Sequence, residues 1–188
     1  MAKTYAELDE RLTEFILAQP IFFVATAPCL TASGEGGHVN VSPKGCRDTF
    51  AVLGPRTVAY LDLTGSGAET IAHLRQNGRI TIMFCSFERA PKILRLYGTG
   101  RAVLPGEPGW PGLAAHFGGG HGQGAERAII AVEVDRISDS CGYAVPIMDL
   151  REERDVLTQW SERRTPDGLA AYRAEKNSVS IDGLPALG

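Results

Sequence analysis

The chain has 188 residues, 19 basic and 22 acidic, for a formal charge of -3. Such a length suits one domain, which buries roughly 70% of the surface its unfolded form exposes and needs no disulfide or metal staple. The slight acidic surplus argues against a dedicated nucleic-acid binder, because no basic excess is present to neutralise phosphates.

In chain order, residues 4–19 carry helical spacing, with Leu8, Leu12, Phe15, Ile16 and Gln19 in register. Thr4 at the N-cap with Glu7 three residues on fits a capping box, and Pro20 stops the helix. IFFVATAP, from Ile21, is rich in β-formers and reads as a buried strand; LTASGEGGH (30–38) is a Gly-rich turn. HVNVSPKG (38–45) alternates, with Val39 and Val41 on one face and His38, Asn40 and Ser42 on the other, which predicts a half-buried strand with one wet face. FAVLG (50–54) and TVAYLDL (57–63) form a hairpin. TGSG opens a short helix, ETIAHLRQNG, stopped by Asn77-Gly78. RITIMFCSF (79–87) and KILRLYGTGRAVL (92–104) are strands, the second bent at Gly98 and Gly100. One helical turn is expected around Leu113 to Phe117, a strand over 127–138, and helices over 149–161 and 166–174, with an irregular tail to Gly188. Strands joined by short turns pair antiparallel. Six antiparallel strands with a few helices predict a mainly β fold, a small barrel with helices packed outside, since closure removes exposed edges.

The four cysteines, Cys29, Cys46, Cys85 and Cys141, are far apart and form no C-x-x-C pair, so they read as reduced thiols of a cytoplasmic protein. Glu7, Asp9, Glu10 and Glu14 interrupt the apolar run a secretory leader requires. No stretch approaches the ~20 apolar residues of a membrane span.

Three places could carry chemistry. The loop TGSGAET (64–70) feeds a helix start, where free backbone N–H groups and the helix dipole favour an anion, with Ser66 and Thr70 as added hydroxyls. It is neither a Walker loop nor a G-x-G-x-x-G fingerprint; its plainer reading is an N-cap formed by Ser66 with Glu69. The strand HVNVSPKG presents Asn40 and Ser42, with Lys44 beyond them as a point charge for a phosphate. Lys92, Arg95 and Arg101 lie on another strand, where Lys92 and Arg95, three apart, point to opposite faces. Among the histidines, His38, His73, His116 and His121, no H-x-x-x-H pattern appears, so no metal site is expected. Ser140-Cys141-Gly142 lacks the spacing of a nucleophile motif.

The phrases NVSPKG, YLD, NGRITIMF and LRLYGTGRAV, in this order, resemble the pyridoxamine 5'-phosphate oxidase-related family of FMN-binding split barrels over roughly residues 5–137. The resemblance implies a single domain over 1–188, with a six-stranded antiparallel split-barrel core at 5–137 and a helical and irregular extension at 138–188. It implies an FMN-dependent oxidoreductase acting on a small molecule, as a homodimer with the flavin at the subunit interface. The matching cofactor positions are Asn40, Ser42 and Lys44 on the second strand, Tyr60, Leu61 and Asp62 at the end of the third, and Ser66 and Gly67 in the loop. The family's basic residue after the loop is replaced by Ala68, and Lys44, Lys92 or Arg95 stand as substitutes for it, the alternative being a weaker hold on the phosphate. The alternative is a non-catalytic binder of flavin, of the deazaflavin F420 or of haem on the same barrel. The tail RAEKNSVSIDGLPAL shows no clear match to the vitamin-pathway oxidase's own substrate segment.

Overall fold

A computed structural model describes residues 3–122 and 124–188. Its centre is one antiparallel sheet of eight strands. These are β1 (Lys3–Tyr5), β2 (Phe22–Thr26), β3 (Asn40–Lys44), β4 (Phe50–Gly54), β5 (Thr57–Leu63), β6 (Arg79–Cys85), β7 (Ile93–Val103) and β8 (Glu126–Ser140). The order is β3-β2-β6-β7-β8-β5-β4, with β1 added to β8. The barrel class expected from sequence is present, with eight strands in place of six. Part of the excess is β1, which the helical reading of 4–19 had absorbed. Thr4 pairs with Ser138 instead of capping a helix. Helix α1 (Glu10–Ala18) starts five residues later because the Asp9 carboxylate accepts from the Leu12 backbone N–H at 2.8 Å, the ordinary N-cap bond.

Alternation along the strands decides what lies inside. Phe22 and Val24 of β2, Tyr60 of β5, and Phe84 of β6 point into the barrel. Phe50 of β4 joins them, and the rings meet mostly edge to face, with Phe22 5.0 Å from Phe50 and 5.4 Å from Tyr60, the arrangement ring quadrupoles favour. The opposite face of β5, Ala59, Leu61 and Leu63, is covered in part by α3 (Trp110–Ala114), whose Trp110 and Leu113 pack there. This helix begins three residues before the predicted turn, with Pro111 in its first turn. Helix α2 (Glu69–Asn77) seats Ile71, Ala72 and Leu74 in the core and ends as predicted at Gly78, whose φ of 70° a side chain rarely adopts. The expected bend in β7 coincides with a register shift at Tyr97/Gly98, where a Cβ on Gly98 would overlap the Glu133 carbonyl.

The predicted orientation of β3 is reversed. Val39 and Val41 are exposed, at 70% and 62%, while Asn40, Ser42 and Lys44 are partly buried. Register explains this: Asn40, Ser42 and Lys44 sit opposite Thr26, Val24 and Phe22, the inward residues of β2. The polar side chains tolerate that side because they find partners across it.

Beyond β8 the chain is irregular to Asp155. Then α4 (Val156–Glu162) and α5 (Pro166–Lys176) follow. The predicted helix over 149–161 is thus confined to its C-terminal half and one residue more. Helix α5 is capped by Thr165, whose hydroxyl accepts from Gly168 N–H at 3.1 Å. The tail folds back through a bridge between Val179 and Pro185 and inserts Leu184 and Ala186 into the barrel core. Among the described residues no helix is long and apolar enough to cross a membrane.

Candidate functional site

A buried carboxylate organises the site. Asp62, near the end of β5, is fully buried, and a lone charge there would be prohibitively costly. Two cations surround it. Lys44 Nζ of β3 donates to Oδ1 at 2.7 Å, while Arg127 Nε and Nη2 of β8 donate to Oδ2 at 2.9 and 2.7 Å. Burial alone would raise the Asp62 pKa, but Lys44 and Arg127 outweigh it and hold the carboxyl below the usual range. The triad carries one net positive charge.

Arg127 also shapes the loop beyond β5. Its Nη1 donates to the carbonyls of Gly67 at 2.6 Å and Gly65 at 3.4 Å. From α5, Arg173 donates to the Thr64 hydroxyl through Nε at 2.9 Å and Nη2 at 2.8 Å, and Nη2 also reaches the Gly124 carbonyl. Asn177 Nδ2 donates to the Gly65 carbonyl at 2.9 Å. The loop 64–67 is therefore clamped from below by three side chains more than fifty residues away in sequence. Ser66 and Gly67 remain exposed at its tip. The N-cap of α2 is Ala68, with no side-chain cap, so Ser66 does not play the capping role.

Asn40 and Ser42 belong to a second network. Asn40 Nδ2 donates to the hydroxyls of Thr26 at 3.3 Å and Thr70 at 3.2 Å, and Ser42 Oγ donates to Asn40 Oδ1 at 2.9 Å. Thr26 in turn meets the buried His73 Nδ1 at 3.0 Å. Burial lowers the His73 pKa, keeping the ring neutral. Tyr60 lies behind Lys44. Its hydroxyl is buried with no hydrogen-bond partner among the described residues, and burial, followed by the Asp62 charge, pushes it well above the usual phenol range.

These residues back onto a cleft of about 1240 Å³ on the outer side of the barrel. One wall is barrel: Phe23, Pro43, Lys44, Leu61, Leu63 and Gly65. The other is extension: Met148, Leu150, Val156, Leu157, Trp160 and Tyr172. Of the ten positions expected from sequence, Lys44 and Leu61 line this cleft. Asn40, Ser42, Tyr60 and Asp62 stand behind the wall, and Ser66 and Gly67 adjoin it through Gly65. Lys92 and Arg95 are elsewhere. Lys92 lies 5.0 Å over the Phe15 ring in a separate cleft of about 510 Å³, and Arg95 Nη1 donates to Ser140 Oγ at 3.0 Å. Lys92 immediately precedes β7 and Arg95 is its third residue, paired with Met83 of β6 and Ser138 of β8. Within this chain neither lines the cleft beside the loop.

Sequence reasoning missed Arg127, Arg173 and Asn177. A signal existed for the first, since an aspartate inside the buried run YLDL demands a cation, and Arg127 opens the apolar strand RAIIAVEV. For the other two nothing local announces a contact. Among the described residues no group of three His, Cys, Asp or Glu side chains is placed to hold a metal. The cysteines are unpaired, and Cys46 lines the cleft with its thiol pKa raised by burial and then by Glu153.

An antiparallel sheet curled around an apolar core, with an external cleft between it and the C-terminal helices, has the architecture of the split-barrel class. Residues 8–141 match the family model of pyridoxamine 5'-phosphate oxidase. Over 97% of its length the chain is 42% identical to the pyridoxamine 5'-phosphate oxidase family protein ustO of Aspergillus flavus, covering 77% of that protein. The chain belongs to the pyridoxamine 5'-phosphate oxidase family. Among solved structures, a FAD-binding protein from Mesorhizobium loti superposes with a TM-score of 0.50 at 15% identity, over 74% of this chain and 96% of that one. A protein from Clostridium acetobutylicum, related to general stress protein 26 of B. subtilis, gives 0.51 at 14% identity, over 71% and 90%. At these identities the likeness concerns the fold.

The residues present fit a flavin. Phe23, Leu61 and Leu63 form an apolar face for a ring, and the exposed tip of loop 64–67 offers a hydroxyl and backbone N–H groups at the start of α2. The net charge of the Lys44–Asp62–Arg127 triad, with Arg173 behind, places positive potential under that tip.

Proposed function

We propose that this protein is an FMN-dependent oxidoreductase acting on a small molecule. The observation that carries the reading is the pairing of an apolar barrel wall with a cation-backed loop in one cleft, in a chain of this family. Phe23, Leu61 and Leu63 would receive the ring, Lys44 its polar edge, and Ser66 with the loop backbone the phosphate. When bound, FMN supplies hydride chemistry. The chain's own residues do the rest. Asp62 fixes the Lys44 ammonium, Arg127, Arg173 and Asn177 hold the loop in shape, and the extension excludes water from the apolar side. None of the four histidines lines the cleft, which favours a flavin over a histidine-ligated haem. A FAD-binding protein stands among the structural neighbours, in keeping with a flavin.

The second reading, a non-catalytic holder of a flavin or deazaflavin, is favoured by one feature, the absence of a basic side chain within loop 64–67. A homodimer is part of the proposal, with the outward valines of β3 as its contact. The test is the absorption spectrum of the purified protein, with the chromophore released and identified by mass. Released or tightly rebound FMN that an added reductant bleaches and a substrate reoxidises supports the oxidoreductase. FMN that binds without turnover moves the protein to the second reading, and failure to bind any flavin overturns both.

A further inference from the structure

The cleft is larger than one cofactor needs. Sites for drug-sized ligands span roughly 300–1,000 Å³, and this open cleft offers about 1240 Å³. If the barrel wall takes a flavin ring, the space against the extension is left for a second molecule. That far wall is apolar and aromatic, and Trp160 is its most organised element. The Arg164 guanidinium lies 3.8 Å over the indole and donates to the Trp160 carbonyl at 2.9 Å. Tyr172 meets the indole edge to face at 4.9 Å. A tryptophan held on two sides and still lining the cleft is a preformed stacking platform.

The charges of the lining set the ligand's class. Three basic side chains, Lys44, Arg47 and Arg154, line the cleft together with three acidic ones, Glu88, Asp149 and Glu153. Lys44 is engaged by Asp62, and Arg47 Nε is 3.0 Å from Glu153 Oε1. Arg154 is thus the one lining cation without an ion pair among the described residues, and Glu88 and Asp149 share its cleft. A phosphate monoester in this part of the cleft would meet one exposed guanidinium and two carboxylates, unpaired among the described residues, lining the same space, in place of the charge-assisted fork that phosphate sites use.

We propose that the cleft binds, beside the cofactor, an uncharged planar aromatic substrate stacked on Trp160, and discriminates against phosphorylated ones. This deepens the flavin reading and rests on it for the neighbour on the barrel side. The experiment uses two probes with one ring, 2-naphthol and 2-naphthyl phosphate, titrated by calorimetry into the full-length protein with and without saturating FMN. Saturable 2-naphthol binding is expected in both states, with 2-naphthyl phosphate at least tenfold weaker when FMN is present. Trp160→Ala should weaken 2-naphthol at least tenfold, and Trp160→Phe should restore most of it. Should Trp160→Ala fail to fold, the Trp110→Phe variant leaves Trp160 as the single tryptophan, and 2-naphthol must then quench or shift its fluorescence saturably. Equal or tighter binding of the phosphate ester, an unchanged affinity in Trp160→Ala, or no saturable 2-naphthol binding would each overturn the proposal. Competition between 2-naphthol and FMN would overturn it too, while leaving the flavin reading intact. If FMN fails to bind and 2-naphthol still binds through Trp160, the flavin reading falls and the aromatic subsite stands.

Discussion

Asp62 shows how one residue ties stability to the site. Its carboxylate is buried and its two cations reach it from β3 and β8, so no single strand holds the arrangement. Arg127→Ala would leave a buried carboxylate facing Lys44 alone. Breaking a buried pair in this way costs about 3–5 kcal/mol, and a denaturant titration at neutral pH should show that loss. The pH dependence follows from the depressed Asp62 pKa. A carboxyl whose folded value lies below its unfolded value of about 3.9 contributes stability that is complete above the unfolded value and disappears as pH falls through the folded one. The wild type should therefore lose stability as it is acidified below about pH 4. Asp62→Asn should be less stable at pH 7 and lack this component of the acid limb, in thermal melts taken from pH 7 to pH 2. Lys44→Ala is milder, since its ammonium is partly exposed and Arg127 still covers Asp62. Its main readout should be weaker FMN binding.

Elements matter here through what they brace. Helix α5 reaches the barrel through Arg173 and Asn177, and both act on loop 64–67 and its flanks instead of on the cleft itself. Arg173→Ala should leave the barrel folded but free the loop from α5. We expect FMN affinity to fall several-fold and limited proteolysis to cut between β8 and α5 faster than in the wild type. Unchanged affinity would mean that the loop keeps its shape without the helix. The pairing of β7 with β8 depends on a glycine for a steric reason. A side chain at Gly98 would occupy the space of the Glu133 carbonyl, and backbone cannot retreat as a flexible side chain can. Gly98→Ala should accordingly give a strongly destabilised protein, seen as a melting temperature well below that of the exposed control Gly112→Ala, whose Cβ would meet nothing within 4 Å. The difference between these elements and their prediction is instructive. Gly78, Pro20 and the β-hairpin were legible because their signals are local. The orientation of β3 was not, because polar residues ordinarily face water. Here Thr26, Thr70 and Asp62, none of them near in sequence, make the inward side the better-bonded one.

At the scale of the molecule, the barrel was readable from strand spacing and motif order, but its closure by the tail was not. Leu184 and Ala186 read as part of an irregular end, and only the folded barrel supplies the apolar space they fill. The same reasoning bears on assembly. Turning Asn40, Ser42 and Lys44 inward leaves Val39 and Val41 on the outer face of a strand at the sheet's end. Monomeric proteins blunt such edges with charge or proline. Here Pro43 and Lys44 occupy the strand's C-terminal end, while Leu30 adds a further exposed apolar side chain in the loop before it. In the proposed homodimer, burying two valines and their surroundings would recover roughly 25 cal/mol per Å² of apolar surface. The protein should sediment as a dimer at micromolar concentration. Val39→Lys with Val41→Lys should shift it toward monomer with its melting profile in dilute solution otherwise retained, because neither side chain is part of the core. If the cofactor site draws on both subunits, FMN affinity should fall in step with dimer dissociation. A monomer that binds FMN with full affinity would instead place the whole flavin site within one chain, between the barrel and its own C-terminal helices.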